Sequence, residues 1–160
     1  RGLTDHTWAV YASDHGRLWG EHGLARKLFA YEESIRFPLL LWAPGFPRTT
    51  IDQIVANVDV VPTLTALALD LEDHRYDGRS LLPLLAGDAA DWRDALLIQN
   101  WATYRYDAVR TPRYTYVHWP RTGHEELYDL RRDPYELQSV AATRPAELER
   151  MRALLGRLLH

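Results

Sequence analysis

Two short apolar runs constrain the fold more than any other feature of the chain. Trp8-Ala9-Val10-Tyr11-Ala12 and Leu39-Leu40-Leu41-Trp42 are strand-sized and do not alternate apolar with polar residues. That pattern belongs to strands buried on both faces, as in α/β folds, and it predicts two adjacent, parallel strands near 8–12 and 38–43. Each run stops at turn residues, Ser13-Asp14-His15-Gly16 after the first and Ala43-Pro44-Gly45 after the second. In open α/β sheets ligands bind beyond the carboxyl ends of the strands. The loop from 13 to about 30 is therefore where chemistry is expected.

That loop carries Asp14, His15, His22 and Lys27 among glycines at 16, 20 and 23. A hard divalent cation takes carboxylate oxygens, and an imidazole either completes the shell or hydrogen-bonds a bound substrate. A lysine is a compact point charge suited to a tetrahedral oxyanion such as sulfate or phosphate. Glycines allow positive φ and close backbone approach to a ligand. Taken singly, Asp-His-Gly also fits a plain turn, Lys27 a solvated surface residue and His22 a loop histidine bonded to backbone.

Downstream, Glu32 and Arg36 stand four apart on a short helical turn before Pro38, the spacing of a structural ion pair. Residues 59–69 read as a helix with Asp59 as N-cap and Pro62 in its first turn. A loop over 69–77 with an exposed His74 leads to a short turn at 81–85. From Trp92 short runs rich in Tyr, Val and Ile alternate with turn residues. Arg113 to His118 alternates polar with apolar or aromatic residues, which predicts a strand with one wet face. Leu148, Met151, Leu155 and Leu158 recur at helical spacing after Pro145, so a C-terminal helix covers an antiparallel sheet of three or four strands. His118 and His124 border a strand turn and read as surface residues.

Composition excludes several classes. The chain has 160 residues, 46% hydrophobic and 26% charged, with a net charge of -3. It offers no electrostatic footprint for nucleic acid. No apolar run reaches the ~20 residues of a membrane span. With no cysteine, disulfides and thiolate metal sites are excluded, and so is a cysteine-derived nucleophile within this stretch.

The series SDHG, GEHG, Lys27, YEESIRFPLLLWAPG, VDVVPTLTALA and DGRSLLPLLAG, followed by VRTPRYTYVHW and ELYDLRRDPYELQSVA, resembles the type I sulfatases of the alkaline-phosphatase-like superfamily. The resemblance covers almost the whole chain, yet only the C-terminal portion of a sulfatase. It implies an α/β fold: residues 1–90 as the tail of an alkaline-phosphatase-like α/β sandwich, and 91–160 as a C-terminal subdomain of small antiparallel sheet plus helix. Position by position it implies Asp14 and His15 as metal-binding residues, Lys27 as a catalytic and sulfate-contacting lysine, and His22 as a substrate contact. Whether His15 ligates the metal or bonds the nucleophile stays open. The implied cofactors are a divalent metal ion, Ca²⁺ in first place, and a formylglycine nucleophile. No Cys-x-Pro-Ser-Arg or Ser-x-Pro-Ser-Arg signature occurs here, so that nucleophile is expected upstream; no targeting segment is visible in this stretch, so the compartment stays open, and a soluble protein is expected. The implied substrate is a sulfated small molecule or glycan. A phosphonate or phosphate ester hydrolase of the same superfamily shares the Asp-His pair and the lysine. A non-catalytic carbohydrate-binding or assembly module is the reading from another class.

Overall fold

A computed structural model describes residues 2–46, 48–69, 75–102 and 104–160. His74 and most of the loop expected around it lie outside the described residues. The chain divides into two compact units. One comprises residues 1–14 with Phe37–Trp92, the other His15–Arg36 with Arg93–His160. The sequence suggests a single break near residue 90, whereas the loop bearing His15, His22 and Lys27 groups with the C-terminal part.

In the first unit, β1 (Ala9–Ala12) pairs with β4 (Leu39–Trp42), with Val10 opposite Leu41. The strands are adjacent as expected, but they run antiparallel. A parallel pair needs a crossover, usually a helix of useful length. The connecting chain has only a small hairpin, β2 (Leu18–Trp19) with β3 (Ala25–Arg26), and the single-turn α1 (Glu32–Ile35). Nor is the pair buried on both faces within this chain, since Tyr11 and Leu40 are each more than 60% exposed.

Asp59 organises the rest of this unit, though not as a cap on the first turn of the helix that follows. It ends a 3₁₀ turn, Asn57–Asp59, that runs into α2 (Val60–Leu69). Its fully buried carboxylate reaches back to the Ala56 N–H (2.8 Å) and across to the Arg79 N–H (2.8 Å). Its carbonyl accepts the Thr63 hydroxyl (2.6 Å), whose oxygen in turn accepts the Leu81 N–H (2.9 Å). One aspartate thereby satisfies backbone donors on two segments and seats α3 (Leu82–Leu85) beside α2.

The second unit is a four-stranded antiparallel meander, β5 (Leu96–Asn100), β6 (Tyr106–Arg110), β7 (Tyr114–Trp119) and β8 (His124–Asp129), in that spatial order. Helix α4 (Pro145–Leu158) covers one face as expected. Its Leu148, Met151 and Leu155 pack on Val109, Tyr114, Tyr116 and Leu127. Each such side chain contributes about 1.5–3 kcal/mol by leaving water. Arg152 locks the helix to the sheet through Glu125, which also accepts the Tyr116 hydroxyl at 2.5 Å.

The opposite face of β7 is not wet. Tyr106, Ala108 and Val117 pack there with Ala30, flanked by Ile98 and Trp119, and Thr115 is fully buried. The cover comes from residues about eighty positions earlier in the chain, which is why strand alternation alone does not reveal it.

Three polar contacts hold this cover. The Tyr31 hydroxyl donates to Glu126 (3.2 Å), the Arg110 Nε donates to Glu32 (2.6 Å), and the Glu32 N–H donates to Glu136 (2.7 Å). Glu32 therefore pairs with Arg110 and not with Arg36. Helix α1 is one turn long and Arg36 already has extended backbone, so the i, i+4 geometry never forms. Glu136 is 1% exposed. Burial pushes its carboxyl up to about 7; the Thr115 hydroxyl and Glu32 amide pull it down, the Glu32 carboxylate pushes it up and Arg110 lowers it.

This raised value has a signed consequence. Between about pH 4.5 and 7 the folded protein holds a proton on Glu136 that the unfolded chain has lost, so stability falls as pH rises through that window. The contribution is on the order of 3 kcal/mol for a shift of this size. Glu136→Gln keeps the acceptor for the Glu32 N–H and cannot ionise. We expect denaturant midpoints to fall less between pH 5 and pH 8 in Glu136→Gln than in wild type. Identical pH dependence in the two proteins would show that Glu136 does not titrate this way.

Candidate active site

The site loop is closed by backbone contact before any side chain acts. The Gly16 N–H donates to the Ser34 carbonyl (2.9 Å), so the strand-end turn lies directly against the chain around α1. A Cβ at position 16 would sit 2.2 Å from the Glu33 carbonyl oxygen and 2.5 Å from that of Arg36. Only glycine permits this approach.

His15 and Lys27 come together across the loop. The Lys27 ammonium meets the His15 Nε2 in a short hydrogen bond. A lysine side chain has donors only, so Nε2 accepts. The ring proton then resides on Nδ1, 2.6 Å from the Gly16 carbonyl oxygen, which accepts it. The backbone of Gly16 thus fixes the imidazole, and the imidazole aims the Lys27 cation. Lys27 itself is exposed.

His22 is placed differently. It adopts a left-handed backbone, with φ of 55°, in a 3₁₀ turn, Glu21–Gly23. The turn is braced by the Glu21 carboxylate, which accepts the Trp19 N–H at 2.5 Å. That bond is the main cause holding the Glu21 carboxyl below its ordinary range. The His22 ring stacks on Tyr31 at 3.9 Å between centroids, and its Nε2 faces the Glu33 carboxylate at 3.6 Å. Among the described residues, neither His22 Nε2 nor Glu33 Oε2, both buried, has a hydrogen-bond partner. Tyr31, raised to about 12 by burial and then by Glu126, stays a neutral donor to Glu126.

Asp14 belongs to the other unit, whose boundary falls at the Asp14–His15 peptide bond. Its carbonyl accepts Asn57 Nδ2 (3.0 Å) and its carboxylate accepts the Ser13 hydroxyl (3.3 Å). No group of three or more His, Cys, Asp or Glu able to hold a metal ion occurs among the described residues. Of the two residues expected to bind metal, Asp14 carries carboxylate oxygens of the kind a hard cation takes, while the acceptor lone pair of His15 is turned to Lys27.

Motif spacing singles out Asp14, His15, His22 and Lys27 as candidates, and it does not mark Tyr31, Glu126 and Glu136. Their roles depend on contacts between residues roughly one hundred positions apart, and no local spacing marks them. His124 is exposed at the β7–β8 turn, 3.5 Å from Glu126.

A loop seated against a helix-backed antiparallel meander is the architecture of the C-terminal region of the alkaline-phosphatase-like fold class. The family described as N-sulphoglucosamine sulphohydrolase, C-terminal, matches residues 20–159, and the chain belongs to that family. It is 35% identical over 145 residues to a choline-sulfatase of Rhizobium meliloti, covering 87% of this chain and 28% of that protein. It is 33% identical over 151 residues to an N-acetylglucosamine-6-O-sulfatase of Bacteroides thetaiotaomicron, covering 87% of this chain and 27% of that protein. A protein solved in complex with its substrate D-glucosamine-2-N,6-O-disulfate superposes with a TM-score of 0.91 at 30% identity, over 98% of this chain and 35% of that one. A phosphonate monoester hydrolase from Silicibacter pomeroyi superposes with a TM-score of 0.81 at 25% identity, over 99% and 35%. The chain spans less than a third of the length of these two curated relatives. Among the described residues no helix is long and apolar enough to cross a membrane.

Gly16→Ala tests the closure of the loop. We expect a loss of about 1–3 kcal/mol, the usual range for overpacking, read as a lowered melting temperature. Gly156→Ala serves as the counterpart, since its Cβ meets nothing within 4 Å inside α4. There an alanine is expected to stabilise by about 0.5–1 kcal/mol. Equal melting temperatures for Gly16→Ala and wild type would show that the close approach is not maintained in solution.

Proposed function

We propose that this chain is the C-terminal portion of a sulfatase that hydrolyses the sulfate ester of a small molecule or glycan. The observation that carries the reading is the Lys27–His15 contact, which presents a fixed, exposed cation where a tetrahedral oxyanion would be held. Family membership and the sulfatase relatives support the same assignment. Residues 1–90 then form the end of the catalytic α/β domain and 91–160 its C-terminal subdomain.

In this reading Lys27 pairs with a sulfate oxygen and neutralises charge as it develops on the transferred group. His15 orients Lys27 through Nε2, and the Gly16 carbonyl holds the imidazole in the required tautomer. Asp14 is assigned as a ligand to a hard divalent cation, Ca²⁺ in first place, with the remaining ligands and the formylglycine nucleophile contributed by sequence outside this stretch. When bound, such a cation acts as a Lewis acid on the sulfate oxygens. His22, stacked on Tyr31, is assigned to the substrate side of the loop. A second reading, phosphonate ester hydrolysis, is supported by the resemblance to the Silicibacter pomeroyi enzyme. Sulfate and phosphonate esters are both tetrahedral oxyanions, and a lysine serves either.

The test uses the protein with its upstream sequence, assayed on an aryl sulfate and a phosphonate monoester, with bound metal measured. Lys27→Ala should retain metal and lose about 10²–10³ in turnover, the cost of removing one such electrostatic donor. Asp14→Ala should lose metal. The 160-residue chain by itself should show no turnover. Wild-type kinetics in Lys27→Ala would overturn the anion-site assignment, unchanged metal content in Asp14→Ala the ligand assignment. Faster hydrolysis of the phosphonate than of the sulfate would favour the second reading.

A further inference from the structure

Glu136 is joined to the site by an unbroken run of contacts. Its carboxyl holds the Glu32 N–H at the start of α1 (2.7 Å). Two residues further along α1, the Ser34 carbonyl accepts the Gly16 N–H, and the Glu33 and Arg36 carbonyls approach Gly16 so closely that a Cβ does not fit. The Gly16 carbonyl fixes His15, and His15 aims Lys27. A buried carboxyl therefore stands at one end of this path and the exposed cation at the other. Glu136 also has a φ of 53°, a left-handed backbone that is strained for a side chain of this size. Its N–H is held by the Asp133 carbonyl (3.2 Å).

The surroundings of Glu136 hold more acid than base. The α1 segment presents the Glu32 carboxylate and the Tyr31 phenol, β6 the Arg110 guanidinium and β7 the Thr115 hydroxyl. Arg110 Nε already donates to Glu32 at 2.6 Å. Two carboxyl groups thus share one guanidinium where little water enters, and the one that is not directly paired is held at least cost with its proton on.

We propose that Glu136 is a positioning residue for Lys27: its neutral carboxyl keeps α1 seated and the cation presented, and its ionisation beside Glu32 loosens that seat. The link to turnover rests on the sulfatase reading; the link to the loop does not. An ionised oxygen is the stronger acceptor for the Glu32 amide, but burial and the second carboxylate outweigh that gain, so the proton stays on up to about pH 7. Above that value the new charge repels the residue whose backbone it holds, and the seat of Gly16 weakens with it.

The test compares wild type, Glu136→Gln and Glu32→Gln, each with its upstream sequence. The readouts are the pH profile of kcat/KM on an aryl sulfate and deuterium exchange over residues 15–36, corrected for the intrinsic pH dependence of exchange. In wild type, kcat/KM should fall about ten-fold between about pH 6 and 8.5, less than the roughly hundred-fold cost of a ~1 Å misplacement. Protection over 15–36 should fall across the same range. Glu136→Gln keeps an acceptor for the Glu32 N–H and cannot ionise, so it should match wild type at the acid end and lack both declines. Glu32→Gln removes the like charge and frees Arg110, and should blunt both. Declines in Glu136→Gln that coincide with those of wild type, undiminished declines in Glu32→Gln, or protection in wild type that does not change with pH each overturn the proposal. Failure of the sulfatase reading shows separately, as absence of hydrolysis by wild type at every pH, and the exchange comparison then decides for or against Glu136.

Discussion

The seating of residues 28–36 on the second face of the β5–β8 sheet is the constraint on which the second unit depends. Ala30 closes the apolar layer over Tyr106, Ala108 and Val117. Tyr31, the Glu32 side chain and the Glu32 amide each find a partner on the sheet or beyond it. A loop as glycine-rich as 15–27 would sample many conformations if free. With its far end held by these contacts and its near end held by the Gly16–Ser34 hydrogen bond, most of that entropy is removed in folding. His15 and Lys27 are then brought to one another in the course of folding.

Buried acids do much of this seating, which is costly unless each is satisfied. Glu126 accepts from Tyr31, from the Tyr128 hydroxyl (2.9 Å) and from Trp119 Nε1 (2.9 Å). Burial and the neighbouring Glu126 push the Tyr31 and Tyr128 phenols upward, which keeps both protonated as donors. Glu136 solves the same problem another way. Burial favours its neutral form despite the backbone amide that donates to it, and the contact becomes sensitive to pH. Asp59 plays the corresponding part in the first unit, where two backbone amides compensate a carboxylate with no exposed surface.

Much of this was legible in the sequence because it is local. The apolar runs marked β1 and β4, the leucine spacing marked α4, and the motif series around Asp14, His15 and Lys27 marked the family and the candidate site. Strand direction was not legible, because an apolar run specifies burial and not orientation, and the short α1 could not act as a crossover. The partner of Glu32 was not legible either: i, i+4 spacing on a single turn pointed to Arg36, and Arg110 was supplied by a strand nearly eighty residues away. Nor could the alternation over 113–118 show that both faces of β7 are covered, since the cover precedes the strand by about eighty residues. The sequence by itself determined which residue types stand near the chemistry. Tertiary structure alone decided which of them touch, because burial, charge pairing and the tautomer of His15 depend on neighbours that no local pattern records.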